Sequence, residues 1–182
     1  GDVLIVAGTG GNGGGGMACA RHLANRDVPV SVLLDRPPGN LSGAAAHQHG
    51  ILAEMGVPHT PAVERLSSAG ASTVIVDALI GYGLAGEVRS PAREYIEATN
   101  DAPGPVVSLD VPSGVDATTG ETLGNAVRPD RTVTLALPKT GLHTGSETLY
   151  LADIGIPETV YERLDIAYGN PFGEQDWMML ER

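Results

Sequence analysis

Asp2-Val3-Leu4-Ile5-Val6-Ala7-Gly8-Thr9-Gly10-Gly11-Asn12-Gly13-Gly14-Gly15-Gly16 decides the fold. Residues 2–7 form a short β-rich apolar run of the kind a buried strand needs. Met17 to Asn25 (MACARHLAN) then places Cys19, His22 and Leu23 at helical spacing. Between them lies a glycine-rich turn over residues 8–16. Glycines let a backbone turn with positive φ and approach a ligand with no Cβ in the way. A helix that starts there offers free N–H groups and a positive dipole end, a suitable seat for a phosphate.

The same alternation continues outward from this stretch. Val28 to Leu34 is expected as a strand ending at Asp35, and Ala44 to Met55 as a helix stopped by Gly56 and Pro58. Thr73 to Val76 reads as a strand ending at Asp77, Pro91 to Thr99 as a helix, and Pro105 to Leu109 as a strand ending at Asp110. Thr132 to Leu137 and Thr148 to Ala152 are later strands, and Pro157 to Leu164 a last helix. Strand alternating with helix implies parallel crossovers with helices on both faces. The expected fold is therefore α/β: a three-layer α/β/α, Rossmann-like domain on a mostly parallel sheet, with residues 1–182 forming one domain.

Composition narrows the function. Twenty-two acidic residues against eleven basic ones give a net charge of −11, which argues against nucleic acid as a main partner. No apolar run approaches the ~20 residues of a bilayer span. One cysteine, Cys19, excludes an internal disulfide, suits a reducing cytoplasm and is expected to be inert packing. The chain opens without Met, so the natural protein is expected to begin earlier. Lys139 is the only lysine, beside ten arginines. That bias fits a high-salt cytoplasm and a GC-rich genome equally well.

Four segments carry chemistry. The first is the glycine turn itself; Gly8, Gly10 and Gly13 also satisfy G-x-G-x-x-G, with Asp35 at about the ribose-binding distance beyond. The second is Asp77-Ala78-Leu79-Ile80-Gly81-Tyr82-Gly83-Leu84-Ala85-Gly86-Glu87, a carboxylate at a strand end followed by a glycine loop. Such an Asp either faces a ligand or caps the next turn. The third is Leu109-Asp110-Val111-Pro112-Ser113-Gly114, again a strand-terminal carboxylate, with the Ser113 hydroxyl behind it. The fourth is Leu137-Pro138-Lys139-Thr140-Gly141, where Lys139 is either a site residue or an exposed cation. His47 and His49 lack further zinc ligands at motif spacing, and His59 and His143 are expected in loops. Ser113 has no G-x-S-x-G elbow, and the glycine turn lacks the G-K-[ST] ending of a P-loop.

Taken in order, these segments resemble the YjeF N-terminal domain family, the NAD(P)HX epimerases. That family carries A-G-x-G-N-N-G-G-D-G, V-D-A-x-x-G-x-G-L-x-G, D-x-P-S-G-x-D, A-P-K-x-G and D-I-G-I-P. This chain has AGTGGNGGGG, VDALIGYGLAG, LDVPSGVD, LPKTG and, at 153–157, DIGIP, so the likeness covers about residues 3 to 157. The resemblance implies interconversion of the R and S epimers of hydrated NADH and NADPH. A separate dehydratase would then restore the S form. It implies a potassium ion held by Asn12, Asp77 and Ser113. It implies substrate-binding loops at Gly11, Asn12, Gly13, Gly14 and Gly15 and at Gly81, Tyr82, Gly83, Leu84, Ala85, Gly86 and Glu87. Asp110 would contact the nicotinamide portion as acid or base, with Lys139 as a second catalytic candidate.

The sequence departs from the family at two positions, where Gly11 replaces an Asn and Gly15 an Asp. Helices that precede the first strand in the family and a fused dehydratase domain are both expected to be absent, which leaves homodimer formation open. Two other functions stay in view: a non-catalytic nucleotide-binding or dimerisation scaffold of the same fold, and a small NAD-dependent dehydrogenase using the G-x-G-x-x-G turn and Asp35. The latter lacks an evident catalytic Tyr/Lys pair. The localisation expected is cytoplasmic, with no nucleic-acid or membrane partner.

Overall fold

In the computed structural model, which describes residues 1–145 and 147–181, the first strand β1 (Val3–Ala7) is buried almost throughout. A continuous apolar run of this kind forms where helices cover both faces of a sheet. Its side chains alternate between two cores. Leu4 and Val6 pack with Leu33, Leu66, Ile75, Tyr95 and Ile96. Ile5 and Ala7 pack with Met17, Ala20, Val32, Leu34 and Leu52.

Helix α1 (Gly11–Ala24) follows, then β2 (Val30–Leu34), α2 (Gly43–Glu54), the short β3 (His59–Thr60) and α3 (Glu64–Ser67). Beyond them come β4 (Val74–Ala78), α4 (Ala92–Asp101), β5 (Val106–Leu109), β6 (Arg131–Leu135), β7 (Thr148–Ala152), α5 (Glu158–Arg163) and β8 (Trp177–Met179). One eight-stranded sheet runs in the order β3-β2-β1-β4-β5-β6-β7-β8. Every pair is parallel except β7–β8, which closes one edge antiparallel. The strand order reverses at β1, so the crevice between the carboxyl ends of β1 and β4 is the topological switch point, where open α/β sheets bind ligands.

The expected architecture is present, with local corrections. The helix expected from Met17 begins at Gly11, so most of the glycine-rich stretch is helix. Glycine in a helix costs about 1 kcal/mol against alanine. Here the missing Cβ atoms allow close docking. A Cβ on Gly13 would lie 1.8 Å from the Gly8 carbonyl oxygen, one on Gly16 2.5 Å from Ala78 Cβ, and one on Gly14 3.1 Å from Ala44 Cβ. β6 stops at Leu135, before the expected Leu137, because Ala136 turns with φ +65°. The strands β3 and β8 and the helix α3 are too short for a periodic signal. His59 lies in β3, not a loop, with its ring edge-on to His49 at 4.4 Å between centroids. His143 sits in a 3₁₀ turn at Thr140–Thr144. Cys19 is half-buried and unpaired, and burial pushes its thiol pKa up. Among the described residues no helix is long and apolar enough to cross a membrane.

Candidate active site

The site is assembled by backbone ends. Asp77 lies next to last in β4, on the same side of the strand as Ile75, and is completely buried. Its Oδ1 accepts hydrogen bonds from the Leu79 amide (3.2 Å) and the Ser113 hydroxyl (2.5 Å). Its Oδ2 accepts from the Ser108 hydroxyl (2.8 Å) and the Ser113 amide (2.9 Å). Ser113 Oγ in turn accepts from the Ile80 amide at 2.8 Å. One carboxylate thereby ties the loop after β4 to β5 and to the turn that follows it. Burial pushes the Asp77 pKa up, while the donors from Ser113, Ser108 and Leu79 pull it back.

The three side chains expected to hold potassium are close in the fold but unequal in chemistry. Both Asp77 oxygens already take two donors each, so the carboxylate has no free lone pair to offer an ion directly. Ser113 is fully buried with its hydroxyl committed to Asp77 and Ile80. Asn12 donates its amide to the Leu109 carbonyl (3.2 Å), and its Oδ1 accepts no hydrogen bond from the described residues. That oxygen suits a hard cation. Asp77 as a direct ligand does not fit. Among the described residues no group of three or more His, Cys, Asp or Glu side chains is poised for a metal.

Asp110 follows β5 directly, with φ +69°, a left-handed conformation uncommon for a residue with a side chain. It is 5% exposed. Its Oδ1 contacts the Lys139 ammonium and accepts from the Leu135 amide at 3.3 Å. Lys139 also donates to the Leu135 carbonyl at 2.7 Å. The only lysine is therefore no exposed cation: its side chain is 19% exposed and clamps one carboxylate oxygen. Asp110 Oδ2 has no partner among the described residues. Asn12, Asp77, Asp110 and Ser113 thus gather at one carboxyl edge, with Lys139 added by the end of β6.

A cleft of ≈ 400 Å³ lies at the switch point, lined by Thr9, Gly10, Leu79, Ile80, Leu84, Ala85, Gly86, Glu87, Asp35, Arg36 and Arg89 among others. It takes in the second half of the expected Gly81–Glu87 loop. Gly81 lies instead against Asn12, where a Cβ would come within 3.2 Å of that side chain. Tyr82, 74% exposed, and Gly83 stand outside the cleft. In the glycine stretch Gly11 and Gly15 reach the surface, while Gly13 and Gly14 are buried packing positions. Gly10 caps α1 with no side-chain hydrogen bond, so backbone amides at that helix start remain available to an anion. A larger groove of ≈ 840 Å³ beside α4 contains none of the expected site residues. Sequence inspection missed Ser108 and Arg89; for Ser108 the available signal was its place two residues after Val106, a polar side chain on the buried face of a strand.

Known proteins resemble this chain. An NAD(P)H-hydrate epimerase of Dehalogenimonas lykanthroporepellens is 44% identical over 174 residues, covering 93% of this chain and 69% of its own length. One from Weissella koreensis is 42% identical, covering 85% of this chain and 71% of its own. The bifunctional NAD(P)H-hydrate repair enzyme Nnr of Salinibacter ruber is 38% identical; this chain spans only 33% of it. The crystal structure of yeast ynu0 superposes with a TM-score of 0.81 at 25% identity, covering 98% of this chain and 77% of that one. The family described as YjeF-related protein N-terminus matches residues 1–141, a span that holds the glycine turn, Asp77, Asp110 and Lys139 together, and the chain belongs to that family.

Proposed function

We infer that this chain is an NAD(P)H-hydrate epimerase, an isomerase acting on the hydrated nicotinamide of damaged NADH or NADPH. The observation that carries this is Asp110: an almost buried carboxylate with one oxygen fixed by Lys139 and the other without a partner among the described residues, directly after Leu109, whose carbonyl Asn12 of α1 reaches. Relatives named for this activity support it.

Epimerisation requires the C6 hydroxyl to leave as water and water to return on the other face. The lone pair of the ring nitrogen drives the departure, and the ring becomes cationic. The leaving oxygen needs a proton, and the incoming water must give one up. A proton passes from the Asp110–Lys139 pair to the leaving oxygen and returns to the pair from the incoming water, so the pair ends as it began. Asp110 Oδ2 also faces the positive charge that develops on the ring, which lowers the barrier. The amides at Gly10 and Gly11 hold the pyrophosphate.

For potassium, Asn12 Oδ1 would be the side-chain ligand, and Asp77 would supply charge and hold the loops. The ion would fix the Asn12–Gly81 contact and so the entrance to the cleft. A separate dehydratase would consume the S epimer, and a relative named as a bifunctional NAD(P)H-hydrate repair enzyme is in keeping with a second repair step. Chromatographic separation of the NADHX epimers over time tests the activity: added protein should speed R-to-S conversion well above the spontaneous rate. No acceleration with either NADHX or NADPHX would leave the chain a nucleotide-binding scaffold.

A further inference from the structure

Asp35 ends β2 and is used by none of the chemistry above. It is 8% exposed and lines the switch-point cleft together with Thr9 and Gly10. Its Oδ1 is occluded and has no hydrogen-bond donor among the described residues. Its Oδ2 has only a loose ion pair, 3.6 Å from Arg36 Nε, with the Arg36 side chain 48% exposed. A buried carboxylate oxygen without a donor is costly, and native structures seldom leave one without reason. Asp77, another buried acid of this edge, has four donors. The difference marks Asp35 as a group whose partners arrive with a ligand.

The position says which part of a ligand. Asp35 and Asp110 sit at the ends of strands three apart in the sheet order β2-β1-β4-β5, about 14 Å by the usual strand spacing. The helix start of α1 lies between them. With the hydrated nicotinamide at Asp110 and the pyrophosphate at the helix start, the far end of an extended dinucleotide falls at Asp35. A vicinal diol offers two O–H donors to a carboxylate, and a carboxylate offers only acceptors in return. We propose that Asp35 binds the unphosphorylated ribose diol of the adenosine half and makes the chain selective for NADHX over NADPHX.

Discrimination follows from charge. A 2′-phosphate placed at Asp35 would remove one donor and bring a dianion against an occluded acid. Burial pushes the Asp35 pKa up, and the Arg36 guanidinium opposes that shift. The carboxyl torsion is broad, so a small rotation can present either oxygen to the ligand. Arg36 and Arg89 lie on the same rim and are the groups that would favour a 2′-phosphate instead. Arg36 is already paired loosely with Asp35.

The selectivity rests on the epimerase function, so the test has two arms that fail separately. In the first, binding of AMP and of adenosine 2′,5′-bisphosphate is measured by calorimetry, which needs no turnover. AMP should bind at least about tenfold more tightly, in keeping with a site built to pair a hydroxyl. In the second, kcat/KM is measured for NADHX and NADPHX and should favour NADHX by at least about tenfold, carried by KM. Asp35→Asn should bring both ratios to within about threefold, through a raised KM for NADHX and weaker binding of AMP. Asp35→Ser serves as a second variant, and thermal melting confirms that each is folded. Equal binding of the two probes by the wild type, tighter binding of the bisphosphate, or variants that keep the preference would each overturn the assignment. A chain inactive on both substrates that still prefers AMP, with the preference lost in Asp35→Asn, would overturn the epimerase and leave the ribose site standing.

Discussion

Replacing Asp77 with alanine should remove a large share of the stability of the fold. Four donors converge on this carboxylate: two amides and two hydroxyls. The hydroxyls can turn, and Ser113 has the Ile80 carbonyl within 3.2 Å. The amides of Leu79 and Ser113 are fixed by the backbone and cannot. Two stranded buried amides cost about 2–6 kcal/mol together, before any cavity contribution. Against a typical total of ~5–15 kcal/mol this is a severe loss. It should appear as a fall in melting temperature of roughly 5–20 °C for a chain of this size. Asp77→Asn should cost less, about 1–2 kcal/mol, because its amide group can face Ser113 Oγ and strand only the Leu79 amide. Urea unfolding followed by circular dichroism gives both values, with an unchanged slope as the sign that only stability moved. An Asp77→Ala protein within about 1 kcal/mol of the wild type would refute the view that this carboxylate holds the two loops together.

Asp110→Asn should fold normally and lose about 10²–10⁴-fold in epimerase rate, the usual cost of removing a general acid or base. Epimer chromatography checks this, and a fully active variant would reduce Asp110 to a positioning role. Gly11→Asn with Gly15→Asp should fold, because a Cβ at Gly11 meets nothing within 4 Å and one at Gly15 meets only the flexible end of Leu109 at 3.2 Å. One or two added hydrogen bonds should raise kcat/KM by roughly two- to tenfold each; Gly13→Ala, by contrast, should disrupt the fold, since its Cβ would collide with the Gly8 carbonyl. The raised pKa of buried Asp77 means that the folded chain holds this proton more tightly than the unfolded chain. The linked stability is therefore present below the unfolded value of about 3.9 and lost as pH rises through the folded value. Urea unfolding at a series of pH values from 4 upward should show a steeper decline for the wild type than for Asp77→Asn, and parallel curves would contradict it. Potassium should raise the melting temperature over a large organic cation at equal ionic strength, and Asn12→Ala should abolish the difference.

Much of this was legible from residue order. Strand-terminal Asp77 and Asp110 and the glycine turn carry signals that need only local spacing and the rule that parallel sheets bind ligands at their carboxyl edge. What was hidden depended on three-dimensional packing. Six glycines in residues 10–16 look like a mobile loop because glycine is a poor helix former; docking against Gly8, Ala44 and Ala78 overrides that propensity. Whether Asp77 faces an ion or a set of amides depends on Ser108 and Ser113, more than thirty residues away. The fate of Lys139 was open for the same reason, since nothing in LPKTG reveals the carboxylate it meets. The antiparallel β8 follows a stretch rich in polar and glycine residues and has only three residues of its own.

The left-handed backbone at Asp110 restricts which amino acids this position can accept. Glycine, asparagine and aspartate take φ near +69° at low cost, and of these three only aspartate bears a carboxylate. Glutamate would keep the charge, but its longer side chain cannot make the local hydrogen bond that offsets the left-handed penalty for aspartate, and it would reach past the Lys139 clamp. The main chain thus acts as a filter on heredity: a substitution that preserves the acid fails on conformation, and one that preserves conformation loses the acid. Any lineage that retains this turn and this chemistry has one residue available to it.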